Sequence, residues 1–184
     1  MRVTGGTARG LILKVPKNYD IRPTTDRVRE AIFSMLISIS DDWSRCLDLF
    51  AGTGALGIEA LSRGAGWIDF VEKQPRCCDI IKQNLKTVGF SQQSHVYHMN
   101  VAKAIGNLEG EYNIIFMDPP YADKSQEDII SQLNEVKFTV KDTLLVIPHS
   151  SRNELAREYG AFTLIKDRKH GDTCISIYRK EADN

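Results

Sequence analysis

No apolar run in this chain approaches the ~18 residues that a membrane span needs. The N-terminus lacks the charged-then-apolar pattern of a secretory leader. Membrane-spanning and secreted classes are thereby set aside, and a cytoplasmic home is the expectation. Cysteine is scarce, with only Cys46, Cys77, Cys78 and Cys174. None forms a Cys-x-x-Cys pair and two are adjacent, so neither a zinc site nor a disulfide framework is expected, and no metal is assigned. The four read as reduced, mostly buried thiols. Net charge is also missing: 24 Lys and Arg balance 24 Asp and Glu. The chain as a whole therefore carries no electrostatic signal for nucleic acid. Repeats, low-complexity tracts and long linkers are absent too. What is present is a globular composition, 42% hydrophobic and 26% charged, in 184 residues. That suffices for one domain with a substantial core.

The balanced charge is unevenly spread. Residues 1–30 carry seven positives (Arg2, Arg9, Lys14, Lys17, Arg22, Arg27, Arg29) against three negatives, a local +4. A second basic stretch is Lys166-Asp167-Arg168-Lys169-His170. Such clusters are either solvated faces or a footprint for phosphates.

Patterning along the chain predicts a small β-hairpin over residues 1–15, turning at Gly5-Gly6. Thr24 or Thr25 can cap a helix running to about Ile37, with Val28, Ile32, Phe33 and Leu36 on one face. From Arg45 onward, apolar runs at 45–50, 67–71, 95–99, 112–117, 143–148, 161–165 and 173–179 alternate with helical stretches. The helices fall near 54–62, 75–88, 101–107, 125–136 and 151–158. This alternation predicts an α/β fold with parallel βαβ units. The last two runs are joined by a short polar link with turn chemistry at His170-Gly171-Asp172, so the seventh strand is expected to run antiparallel. The expected organisation is an N-terminal hairpin and helix extension over 1–40, followed by a Rossmann-like domain over 41–184.

The first strand runs into Asp48-Leu49-Phe50-Ala51-Gly52-Thr53-Gly54-Ala55-Leu56-Gly57. Glycines allow a tight turn and close ligand approach. Gly52, Gly54 and Gly57 spell G-x-G-x-x-G, which alone is a weak signal and admits NAD. Asp48 would repel a pyrophosphate but suits the cationic amino group of a methionine-type ligand, or simply caps a helix or turn. Glu72, 20 residues after Gly52, can accept from both ribose hydroxyls and fits either cofactor. Asn100 closes the third strand, where it can face an adenine or simply cap a helix.

The most informative segment is Asp118-Pro119-Pro120-Tyr121, directly after the apolar run 112–117. Proline fixes its own φ and restricts its predecessor. The Asp118 carboxylate and Pro119 carbonyl are thus aimed acceptors, and Tyr121 offers a stacking face. Such a pocket suits a flat ring bearing an exocyclic amino group. Gly52, Glu72, Asn100 and Asp118 all fall at the carboxyl ends of expected strands, where Rossmann-like sheets bind ligands.

The glycine loop together with Asp118-Pro119-Pro120-Tyr121 resembles the amino-group methyltransferases. Three further segments resemble the RsmD family: Arg22-Pro23-Thr24-Thr25-Asp26-Arg27-Val28-Arg29-Glu30-Ala31-Ile32-Phe33, Gly57-Ile58-Glu59-Ala60-Leu61-Ser62-Arg63-Gly64-Ala65 and Arg168-Lys169-His170-Gly171-Asp172-Thr173. The resemblance spans essentially the whole chain. It implies a class I AdoMet-dependent methyltransferase with a seven-stranded, mostly parallel sheet. It also implies methylation of one guanine N2 in 16S rRNA, with a preference for the assembled small subunit. A monomer is expected, because one small domain with a ribosomal substrate needs no partner subunit. By that resemblance Asp48, Phe50, Gly52, Thr53, Gly54, Glu72, Asn100 and Val101 hold S-adenosyl-L-methionine (AdoMet). Asp118, Pro119, Pro120 and Tyr121 hold the guanine, and Arg2, Arg9, Arg22, Arg27 and Arg29 contact RNA. One departure stands out: many relatives carry a glutamate near the end of the fifth strand, where this chain reads Val146-Ile147-Pro148-His149.

Two rival readings remain. A DNA adenine-N6 methyltransferase also uses Asp-Pro-Pro-Tyr, although no target-recognition domain is visible in this length. A non-catalytic ribosome-assembly factor would keep the fold without needing Asp118 or the glycine loop, and both are intact.

Overall fold

Residues 1–16, 24–120 and 126–182 are described by the structure, a computed structural model. Five strands at its centre run parallel: β1 (Arg45–Leu49), β2 (Trp67–Glu72), β3 (Ser94–His98), β4 (Tyr112–Met117) and β5 (Thr139–Ser150). Beyond β5 lie β6 (Glu158–Tyr159), β7 (Phe162–His170) and β8 (Thr173–Lys180). Among the described residues the sheet has eight strands in the order β3-β2-β1-β4-β5-β8-β7-β6. β8 enters antiparallel between β5 and β7, as the two-residue Gly171-Asp172 turn requires. Seven strands are as expected from the sequence, and the short β6 is an addition.

β1 and β4 are buried on both faces, as near-continuous apolar runs in a covered parallel sheet should be. Helices α1 (Asp26–Ile37), α2 (Ala55–Ser62) and α3 (Pro75–Val88) contribute to the core on one face. Helices α4 (Val101–Ile105) and α5 (Gln126–Glu135) contribute to the core on the other. α1 begins because Thr25 accepts a hydrogen bond from Val28 N–H (3.3 Å), and its apolar positions fall on one face. α3 starts at Pro75 and ends at Gly89, whose φ of 83° closes the helix in the left-handed region.

The N-terminal extension pairs as expected, though sparsely: Arg2 bridges Ile12, and Val3 N–H and Leu13 N–H donate to Leu11 O and Met1 O. Val3, Ala8 and Leu13 sit in the same apolar cluster as Ile58 and Phe70. Extension and sheet share one core.

The helix expected over 151–158 is not formed. Asn153 N–H closes a turn onto Ser150 O, and Ala156 N–H donates to the Tyr159 hydroxyl. That segment offers one apolar anchor, Leu155, too little to hold a helix against the sheet.

Chain order reverses between β1 and β4: β2 and β3 lie to one side of β1, and β4 returns on the other. Doubly wound sheets open a crevice at this switch point, beyond the carboxyl ends of the strands. Leu49 and Met117 are adjacent there, so the segments that follow them, 50–54 and 118–120, flank one crevice.

Candidate active site

The loop after β1 is built from backbone that side chains rarely adopt. Phe50, Gly52 and Gly54 have φ of 61°, 57° and 76°. Phe50 is a non-glycine residue in the left-handed region, a strain that concentrates at binding sites. Gly54 cannot cap α2 with a side chain, and Asp48 does so from the strand: its Oδ2 accepts from Gly57 N–H at 2.9 Å. A Cβ on Gly57 would lie 2.3 Å from the Phe70 ring, so glycine lets α2 press onto β2. A Cβ on Gly52 would meet nothing closer than 3.9 Å, leaving its backbone open to an approaching ligand.

Glu72 closes the loop from the next strand. Its Oε2 accepts from Gly52 N–H (2.9 Å) and its Oε1 from Gln74 N–H (2.8 Å). Each oxygen retains acceptor capacity beyond that bond. Thr53 is buried, with its hydroxyl turned toward Met1 Sδ (3.7 Å) and its carbonyl held by Asn84 Nδ2 (3.0 Å). Asn84 was not singled out in the sequence. It is fully buried, accepts from Lys14 N–H and braces both the N-terminal arm and the glycine loop. The signal for it was a polar residue among the buried positions of α3, beside Ile81, Leu85 and Val88.

Asn100 caps α4: its Oδ1 accepts from Lys103 N–H at 2.8 Å, and the residue is exposed. Val101 packs into the core beneath. The helix-capping reading of Asn100 is therefore realised, with the amide group still at the surface.

Asp118 follows β4 directly and is half-buried, with Pro119 buried and Pro120 exposed. Tyr121 and Arg22 lie outside the described residues. Burial pushes the Asp118 carboxyl up to about 6, against the hydrogen bond donated by the Thr24 hydroxyl, which favours the ionised form. Asp48 is pushed well above the usual carboxylate range by burial, then by the charges of Asp118 and Glu72, with the Gly57 N–H opposing. Asp48 thus feels two further acids, Asp118 and Glu72, beside the glycine loop. A pyrophosphate would add to that repulsion, whereas a cationic ligand relieves it, so the donor set fits a sulfonium and amino-group cofactor.

The five arginines divide. Arg2, Arg9 and Arg27 are exposed. Arg29 is not available to RNA and its expected role is corrected here: it is 0% exposed. Its guanidinium donates to Arg2 O, Thr24 O (2.8 Å) and Asp26 Oδ1 (2.8 Å), and lies 3.8 Å from Glu59 Oε2. A charge on the inner face of α1 reads as basic patch in sequence and as strut in space.

At the departure near the end of the fifth strand, Pro148 pairs in register with Ile175 of β8. His149 is buried, with Nε2 2.9 Å from Ser176 Oγ and Nδ1 3.1 Å from Ser150 O, and burial lowers its pKa. His149, Asp167 and Cys174 place ligand atoms within 4.8 Å of one another, and each already has a hydrogen-bond partner.

A family model described as "Conserved hypothetical protein 95" matches residues 1–179. The chain belongs to the RsmD family. It is 32% identical over 182 residues to Ribosomal RNA small subunit methyltransferase D of Escherichia coli, covering 99% of this chain and 91% of that protein. It is 36% identical over 185 residues to YlbH of Bacillus subtilis, covering 99% of this chain and 100% of YlbH. Among solved structures it resembles the yhhF protein of Escherichia coli, with a TM-score of 0.88 at 30% identity over 100% of this chain and 99% of that one. The sheet, the switch-point crevice and the RsmD-family match are those of a class I methyltransferase.

Proposed function

We propose that this RsmD-family protein methylates the exocyclic N2 of one guanine in 16S rRNA, using AdoMet, on the small ribosomal subunit. The observation that carries the reading is the placement of Asp118-Pro119 at the end of β4, across the switch point from the Asp48–Gly54 loop. It acts as a monomer, and a ribosomal substrate puts its work in the cytoplasm. No helix among the described residues is long and apolar enough to cross a membrane.

When bound, AdoMet supplies an electrophilic methyl group. Glu72 takes the ribose hydroxyls, Asp48 the amino group and Asn100 and Val101 the adenine, while Phe50, Gly52, Thr53 and Gly54 shape the loop around it. The guanine amine is a poor nucleophile because its lone pair is delocalised into the ring. Acceptance of its hydrogens by Asp118 and the Pro119 carbonyl turns the lone pair out of the ring plane. Placement then supplies much of the rate. With its carboxyl near 6, Asp118 is ionised at neutral pH and can take the proton released after transfer. A paired base cannot reach this crevice, so the target is unstacked. Tyr121 is the platform it stacks on, and Arg2, Arg9, Arg22 and Arg27 meet phosphates.

The test is transfer from tritiated AdoMet to small subunits lacking the modification, to naked 16S rRNA and to DNA, followed by nucleoside analysis. Labelled N2-methylguanosine from subunits is the expected product. Label on adenine, on DNA or nowhere removes the guanine assignment.

A further inference from the structure

Asp118 follows β4 directly, but the group that holds it comes from 94 residues earlier in the chain. Thr24 Oγ1 donates to Asp118 Oδ2. Thr24 is itself held on its C-terminal side. Its carbonyl accepts from Arg29 Nη1 at 2.8 Å, and the next residue, Thr25, is the N-cap of α1. Arg29 is in turn locked by Arg2 O, Asp26 and the buried Glu59 of α2. The hydroxyl at Asp118 is therefore the tip of a tied segment rather than a wandering surface group.

We infer that Thr24 is a positioning residue for methyl transfer: its hydroxyl holds Asp118 Oδ2 and leaves Oδ1 to face the substrate amino group. This rests on the reading that Asp118 receives the target amine. A carboxylate turns about a broad, two-fold χ2 torsion, so one oxygen must be pinned for the other to have a fixed aim. The same donation favours the ionised carboxyl, against its burial. Among the described residues, the charge of Asp118 acts on Asp48 of β1, an acid of like sign, and the Thr24 hydroxyl is the group that favours the ionised form of Asp118. The segment that bears Thr24 is also the one proposed to meet RNA, so substrate docking and aim of the acceptor share one stretch of chain.

The experiment compares the wild type with Thr24→Val and Thr24→Ser, each checked for cooperative thermal unfolding. One arm follows the Asp118 carboxyl carbon by NMR through a pH titration, assigned with Asp118→Asn. The other measures transfer to small subunits from pH 5.5 to 8.5. For Thr24→Val the expected result is an Asp118 midpoint raised by about one pH unit. Its kcat at pH 7 should fall by roughly 10- to 100-fold, with partial recovery at pH 8.5. KM for subunits and the AdoMet Kd should stay within about threefold. Thr24→Ser should restore both the midpoint and kcat. An unchanged midpoint with unchanged kcat in Thr24→Val overturns the inference, and so does equal impairment in Val and Ser. If the wild type itself transfers nothing to subunits, the proposed function fails. The titration still decides Thr24: a raised midpoint in Val alone supports its hold on Asp118, and an unmoved one refutes it.

Discussion

The two acidic ends of the crevice are built in opposite ways. At the glycine loop, Asp48 and Glu72 are held by backbone N–H groups of Gly57, Gly52 and Gln74, all within one βαβ unit. At the end of β4, Asp118 is held by a side chain from the N-terminal extension. On the proposed function, the cofactor meets a site prepared by local chain geometry, whereas the substrate acceptor is completed by a distant segment. Aim at the target is then separable from affinity for the methyl donor.

The sharpest way to break this contrast is Asp118→Ala. Transfer should fall by at least about 10³-fold, with AdoMet affinity by calorimetry nearly unchanged. A parallel loss of AdoMet binding would show that the two ends are not independent. Next in size is Arg29→Met, which leaves Glu59 buried without that partner and should cost about 3–5 kcal/mol in denaturant unfolding. Glu72→Gln should act on the cofactor half alone, weakening AdoMet by roughly 10-fold while kcat at saturation holds. The pH dependence follows from Asp118. Its carboxyl is raised to about 6, so activity is present above that value and lost as pH falls through it. An ordinary aspartate, near 3.9, would keep the enzyme active to about pH 4.5. The smallest effect is expected for Arg27→Ala: stability within about 0.5 kcal/mol of wild type and the salt slope of RNA binding lower by about one.

Much of the glycine-loop half of the crevice could be read from the chain because it depends on local rules. Short apolar runs alternating with helical stretches placed the central strands and α1, α2 and α3, and strand ends collected Gly52, Glu72, Asn100 and Asp118. The failures share another cause. Arg29, in a basic motif, is buried because α1 turns it toward Glu59, a contact 30 residues away. Thr24 and Thr25 are interchangeable as candidate caps in sequence. Only the tertiary contact shows that Thr25 caps the helix while Thr24 reaches Asp118. The segment 151–158 carried helix-compatible residues, but the turn at Ser150–Asn153 and β6 claimed its backbone hydrogen bonds.

The buried carboxylate of Glu59 accepts from Thr4 N–H and Gly5 N–H at 2.8 Å each, and from the Thr4 hydroxyl and Arg63 Nε as well. Most of its donors thus come from the first residues of the chain. The arm is thus docked on α2 mainly through backbone N–H groups, which any residue but proline supplies. An arm from a relative would dock on this body wherever its backbone follows the same path, and a proline at position 4 or 5 would take a donor from a buried carboxylate before any question of substrate arises.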